Sequence, residues 1–146
     1  MEGKTLVKLI VVAAIAYFAW RWWQGQHHAP AAATAASSPA QECASLAAGA
    51  SETWGSGVGR FANPPYDMAA WDDFRSRVET GARRAQEKCL CGDAACNSAK
   101  GAMSDLRGLV SEMDSALRSG SPPPSDLVQR QEAIDNAINA ARDQAK

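Results

Sequence analysis

Apolar positions recur at helical intervals along most of this chain, and nowhere do they alternate with the sustained period of two that a strand would need. The clearest run is Cys96, Ala99, Met103, Leu106, Val110, Met113 and Leu117, spaced alternately by three and four residues. An unbroken stripe of this kind marks a helix packed along a partner. Gly120 stops it, and Ser121 to Pro124 makes a stiff connection. A second run, Met68, Trp71, Phe74, Val78, Ala82, Ala85 and Cys89, follows Asp67 as N-cap, with Tyr66 and Trp71 placed as a hydrophobic staple. Gly81 lies inside it and weakens it by up to ~1 kcal/mol relative to alanine.

Two further helices flank these. Ser38, Pro39, Ala40 and Gln41 have the order of a capping box with proline in the first turn. Cys43, Leu46, Ala47, Ala50 and Trp54 then share a face, and Gly55 is expected to end the helix. After the proline run, Ser125 can cap a last helix with a buried line of Leu127, Ile134, Ile138, Ala141 and Ala145. The expected fold over residues 39–146 is all-α, a small three- to four-helix up-down bundle.

The N-terminus is patterned differently. Leu9 to Trp20 is uncharged, and Leu6 to Trp23 approaches the ~20 apolar residues of a membrane span if Lys8 and Arg21 snorkel. Trp20, Trp22 and Trp23 cluster at one end, as an aromatic belt would. A cleaved signal peptide needs small residues after the apolar core, whereas Arg21, Trp22, Trp23 and Gln24 follow here. Gly3 to Ala16 resembles the start of type IV pilins, but Lys8 stands where that family usually carries glutamate, and the leader before Gly3 is short and not basic. Residues 1–23 therefore read as an uncleaved transmembrane signal anchor, and residues 24–38 as an Ala/Pro/Ser-rich linker. Two basic residues before the core against one after it place the N-terminus in the cytoplasm.

Charge removes one class of function. The formal net charge is −1, and the anchor's own excess is positive, so the rest of the chain is slightly acidic. A duplex-binding domain concentrates Lys and Arg on one face, and none is concentrated here, so nucleic acid is not expected as a partner.

The candidate chemistry lies in CLCGDAAC, residues 89–96, which holds three of the four cysteines. Joining Cys89 to Cys91 would strain the loop, which leaves two schemes. One joins Cys43 to Cys91 and Cys89 to Cys96; the other joins Cys43 to Cys89 and Cys91 to Cys96. Gly92 suits a helix stop and Asp93 the next N-cap, so a hairpin turning there would bring Cys89 opposite Cys96, which favours the first scheme. An even cysteine count in an exported domain supports disulfides. A redox dithiol of Cys89 and Cys91 is the alternative, since Lys88 and a helix N-terminus could lower a thiol pKa. A metal site is a third reading, from these thiols with Cys43 or from His27 and His28. The paired spacing of zinc sites and the usual iron–sulfur runs are absent, so no cofactor or metal is expected. The pattern C-x-C-x-D-x-x-C at a turn between helices is similar to a motif in small secreted or membrane-tethered proteins of myxobacteria and related bacteria. That resemblance implies an exported helical domain and carries no functional residue over.

Other features carry less chemistry. Gly55 to Arg60 superficially suggests a phosphate loop, but lacks the preceding strand and the Gly-Lys-Ser/Thr ending. A flexible connection between the first two helices is the expected reading; Trp54, Phe61 and Tyr66 flank it and with Pro64 and Pro65 can fold over the core, and should they stay exposed they would form the candidate binding patch. Asp72 and Asp73 read as a solvated first helical turn. Met68, Met103 and Met113 sit at core spacing rather than as a copper site. No histidine lies beyond the linker, so a Ser/His or Cys/His pair inside the domain is excluded.

The expected protein is a single-pass bacterial inner-membrane protein whose C-terminal domain lies in the periplasm. It would act as an interaction or structural module of the cell envelope, without catalysis, its partners the lipid bilayer and another envelope protein.

Overall fold

The computed structural model describes residues 36–146. The expected anchor, most of the linker, and His27 and His28 lie outside the described residues. Among the described residues there are four α-helices: α1 (Pro39–Gly57), α2 (Met68–Lys88), α3 (Ala94–Arg118) and α4 (Leu127–Gln144). A short 3-10 turn, Val58–Phe61, follows α1, and there is no strand among the described residues. No helix among them is long and apolar enough to cross a membrane.

The start signals act locally through side chains. Ser38 Oγ accepts the Gln41 N–H while the Gln41 side chain accepts the Ser38 N–H, so both orphan donors are satisfied by the capping box. Asp67 accepts from the Ala70 N–H and Asp93 from the Cys96 N–H. The stop at Gly120 is a Schellman motif. Its φ is +69°, the Gly120 N–H donates to the Leu117 carbonyl, and the Ser121 N–H donates to the Ala116 carbonyl.

Two boundaries differ from expectation. Helix α1 continues through Gly55 to Gly57, because Trp54 and Gly57 are both buried and the apolar face extends that far. Helix α4 begins at Leu127 with Asp126 as N-cap, not Ser125, and that cap makes no side-chain hydrogen bond. The proline run has already set the chain's direction there, so no cap was needed to start the helix.

Helices α1 and α2, and α2 and α3, run antiparallel, as the cross-links show. Cys43, early in α1, is bonded to Cys89 at the end of α2, while Trp54 late in α1 stacks on Phe74 early in α2. Trp71 reaches Asp114, and Gln86 reaches Arg107 nearer the start of α3. Helix α1 packs against all three others, whereas α2 and α4 barely meet. The bundle is thus flattened, with α1 and α3 across its short diagonal.

Alanine makes that approach feasible. Ala40, Ala44, Ala47 and Ala50 line α1, and Ala95, Ala99 and Ala102 line α3, all buried. The α3 stripe is broader than a two-position seam, since Ala95, Ala102 and Leu109 are buried as well. A helix touched on three sides needs this wider apolar surface. Gly81 has a similar cause: a Cβ there would lie 3.3 Å from the Ala50 Cβ, so its small size serves the α1–α2 contact.

Ser37–Lys146 forms one compact unit with contrasting ends. At one end Trp54, Phe61, Trp71 and Phe74 form an aromatic cluster with ring centroids 5.1–6.4 Å apart. The cysteines lie at the other. Gly57 borders the aromatic cluster, and a Cβ there would collide with the Phe74 ring, lying 2.9 Å from both Cδ2 and Cζ. Gly57→Ala is therefore expected to destabilise the domain by ~1–3 kcal/mol through overpacking, whereas Gly55→Ala, with open space around it, should not. Paired urea melts of the two variants check this, and equal stability would contradict the packing.

Candidate functional site

The turn between α2 and α3 carries the cysteines. Cys89 is the C-cap of α2, its N–H donating to the Ala85 carbonyl, and its side chain is directed inward on the same stripe as Val78, Ala82 and Ala85. Directly across lies Cys43 of α1, and the two are bonded with a Cα–Cα distance of 4.9 Å. Cys91 is bonded to Cys96 with Cα atoms 5.7 Å apart. This is the second of the two schemes, so the favoured pairing of Cys43 with Cys91 and Cys89 with Cys96 is corrected. Facing α1 decided it: the α2 stripe points at α1 as well as α3, and Cys89 meets Cys43 there. The correction also separates Cys89 from Cys91, which belong to different bridges and do not form one dithiol.

Burial distinguishes the two bonds. Cys43, Cys89 and Cys96 are at most 1% exposed, while Cys91 is half-buried and the adjacent Leu90 is 81% exposed. The sulfurs of Cys91 and Cys96 and a carboxylate oxygen of Asp93 lie within 4.8 Å of one another. That set resembles metal donors, but the sulfurs are bonded to each other and Asp93 is committed to the cap of α3. Only after reduction would two thiolates and a carboxylate face one point.

The candidate patch of Trp54, Phe61 and Tyr66 is not a surface; the rings fold over the core instead. Trp54 and Phe61 are fully buried in the aromatic cluster, and Tyr66 is half-buried with its hydroxyl donating to the Ser121 carbonyl at 3.4 Å. The rings turn inward because α1 runs on to Gly57 and the 3-10 turn folds Phe61 back under α2. Arg60 covers the cluster, its guanidinium 5.5 Å and 5.7 Å from the Phe61 and Phe74 centroids. The glycine-rich stretch is therefore a helix end and a lid over aromatic rings. Met103 and Met113 are fully buried core residues.

Two polar constellations escaped the sequence reading. The first centres on Asp114, whose carboxylate accepts from the Trp71 indole N–H at 2.8 Å, from Arg118 at 3.0 Å and from Arg75 at 3.4 Å. Arg118 also donates to Asp72, so Asp72 is part of a cross-helix network rather than a merely solvated turn. Partial burial of Asp114 works against ionisation. The Trp71 N–H and the two arginines outweigh it and hold the carboxyl below the ordinary carboxylate range. A carboxyl depressed in the folded state contributes stability that is complete above about pH 4, its unfolded value, and lost as pH falls through the folded one. Acid melts should therefore show stability declining below about pH 4, with Asp114→Asn reducing that dependence. An unchanged acid profile in the variant would exclude Asp114 as a contributor.

The second lies between α1 and α4. Ser51, almost fully buried, donates to Asp135 at 2.7 Å and accepts from the Gln131 side-chain amide at 2.9 Å. These groups form the floor of an open groove of about 640 Å³, which Glu52, Ser56, Asn139 and Arg142 also line. These contacts join α1 to α4. Ser51 appeared in the sequence one step off the Cys43–Ala47–Ala50–Trp54 face, which is the position where a helix with two neighbours becomes buried.

Comparison with known protein families, with curated proteins and with solved structures finds no match to this chain.

Proposed function

We propose that the chain is a membrane-tethered helical module of a bacterial cell envelope, its disulfide-stapled domain held outside the cytoplasm to interact with another envelope protein. The observation that carries this reading is the oxidation of all four cysteines into two bonds within one small bundle. Disulfides of this kind persist in oxidising compartments. A small, alanine-rich core also gains most from such staples. The apolar, tryptophan-flanked N-terminal sequence and the Ala/Pro/Ser tether supply the membrane part of the reading. The α1–α4 groove and the exposed Leu90 and Val128 are features such a module offers a partner.

Protease treatment of spheroplasts tests the topology. The domain is expected to be digested when the periplasmic face is opened, leaving a membrane-embedded N-terminal fragment. Protection of the domain until the inner membrane is lysed would place it in the cytoplasm and end the proposal.

A further inference from the structure

We propose that Cys91–Cys96 is an exchangeable disulfide, opened by the dithiol form of a C-x-x-C partner protein and closed again by that partner's disulfide form, while Cys43–Cys89 is a permanent staple. This goes beyond the tethered-module reading and does not depend on its topology.

Accessibility comes first. An incoming thiolate must reach one sulfur in line with the bond, and Cys91 is the one half-buried cysteine; the other three are at most 1% exposed. Local freedom comes second. Cys91 lies between two fixed points, Cys89 bonded to Cys43 and Asp93 capping α3. Residues 90–92 can therefore rearrange without disturbing either helix, and a bridge spanning five residues cross-links nothing beyond this turn. The bridge spanning 46 residues joins α1 to α2 and is sealed in the core. Opening it would need the helices to part.

The departing sulfur is suitably placed. Cys96 lies in the first turn of α3, where the helix dipole favours a thiolate, although its full burial works against one. Asp93, within 4.8 Å, opposes that charge and restrains the exchange. Lys88, the nearest cation in sequence, lies within 4.0 Å of Glu42. Leu90 supplies a contact: at 81% exposure beside the attacked sulfur, it is an apolar handle for the surface around a partner's active-site thiol.

The chemistry balances as thiol–disulfide exchange. A partner thiolate attacks Cys91 Sγ, a mixed disulfide forms, and the Cys91–Cys96 bond breaks with its electron pair leaving on Cys96 Sγ, which takes a proton. The partner's second thiol, deprotonated, attacks its own sulfur in the mixed disulfide and releases Cys91 as a thiolate that is protonated in turn. The partner dithiol is oxidised to a disulfide by two electrons, and the Cys91–Cys96 bond is reduced by the same two.

The test equilibrates the full 146-residue chain in glutathione buffers of graded potential, alkylates it under native conditions and maps the labels by mass spectrometry. Cys91 and Cys96 are expected to be labelled first, with helical circular dichroism unchanged. Labelling of Cys43 and Cys89 first, or of all four together only on unfolding, overturns the proposal. Asp93→Asn keeps a capping side chain but removes the charge, and should speed exchange severalfold; an unchanged or slower rate overturns the assignment of Cys96 as the departing thiolate. Leu90→Ser should slow exchange with a thioredoxin-type C-x-x-C protein and leave glutathione exchange unchanged. Equal effects on both would overturn the docking role of Leu90.

Discussion

Replacing Cys43 and Cys89 together by alanine is expected to destabilise the domain by ~4 kcal/mol, against ~2 kcal/mol for replacing Cys91 and Cys96. The difference follows from chain entropy, which rises with the logarithm of the loop closed, and the separations are 46 and 5 residues. Native-state contacts widen the gap. Cys43 and Cys89 are wholly buried where the start of α1 meets the end of α2, so their loss also releases that end of the hairpin. The short bridge closes a turn that Asp93 already organises by capping α3. Denaturant melts of the two double variants under non-reducing conditions provide the comparison. Equal losses, or a larger loss for the Cys91/Cys96 pair, would mean that the long bridge does not hold the bundle together.

The second large effect is expected at the opposite end. Trp71→Ala should cost ~3–5 kcal/mol, because it empties the centre of the aromatic cluster. Trp71→Phe separates the two contributions. It keeps most of the ring packing against Phe61 and Phe74 but removes the indole N–H that donates to Asp114 at 2.8 Å. A hydrogen bond to a charged group contributes ~1.5–3 kcal/mol. Trp54→Phe serves as the control, since the Trp54 indole N–H is buried without a partner among the described residues. Its loss costs ring area alone, so Trp54→Phe should be milder than Trp71→Phe. The reverse order in thermal melts would show that Asp114 draws its stability from Arg75 and Arg118 and not from the indole.

Both predictions concern ends of the bundle, where local signals and tertiary contacts contribute differently. The Asp67 and Asp93 caps, the Ser38–Gln41 box and the Gly120 stop were legible in the sequence because each is satisfied within a few residues. Ser125 failed as a cap because α4 starts under constraint from the proline run, two residues further on. Asp114 was not legible as a hub. On α3 it is one more acidic residue beside the stripe, and its partners Trp71 and Arg75, like the Asp72 that shares Arg118 with it, come from another helix some forty residues away in sequence.

The cysteines divide in the same way. Periodicity alone determined that Cys89 and Cys96 sit on buried stripes, that the segment between them is a turn, and that the domain is all-helical. Which sulfurs meet was decided by the tertiary structure. A helical stripe specifies a direction relative to its own axis, but not which neighbour stands in that direction. Cys89 faces inward on a stripe shared between α1 and α3, and the close approach that the alanines of α1 permit brings Cys43 to it. The same rule turned Trp54 and Phe61 inward. Trp54 already lay on the apolar face of the first helix, but the glycines and prolines around Phe61 left open whether the rings fold inward or form a patch, and the packing of α1 on α2 decided it. Local hydrogen bonds and periodicity need only neighbouring residues, so they are written in the sequence. Pairing across helices needs the interhelical distances, which the assembled core alone supplies.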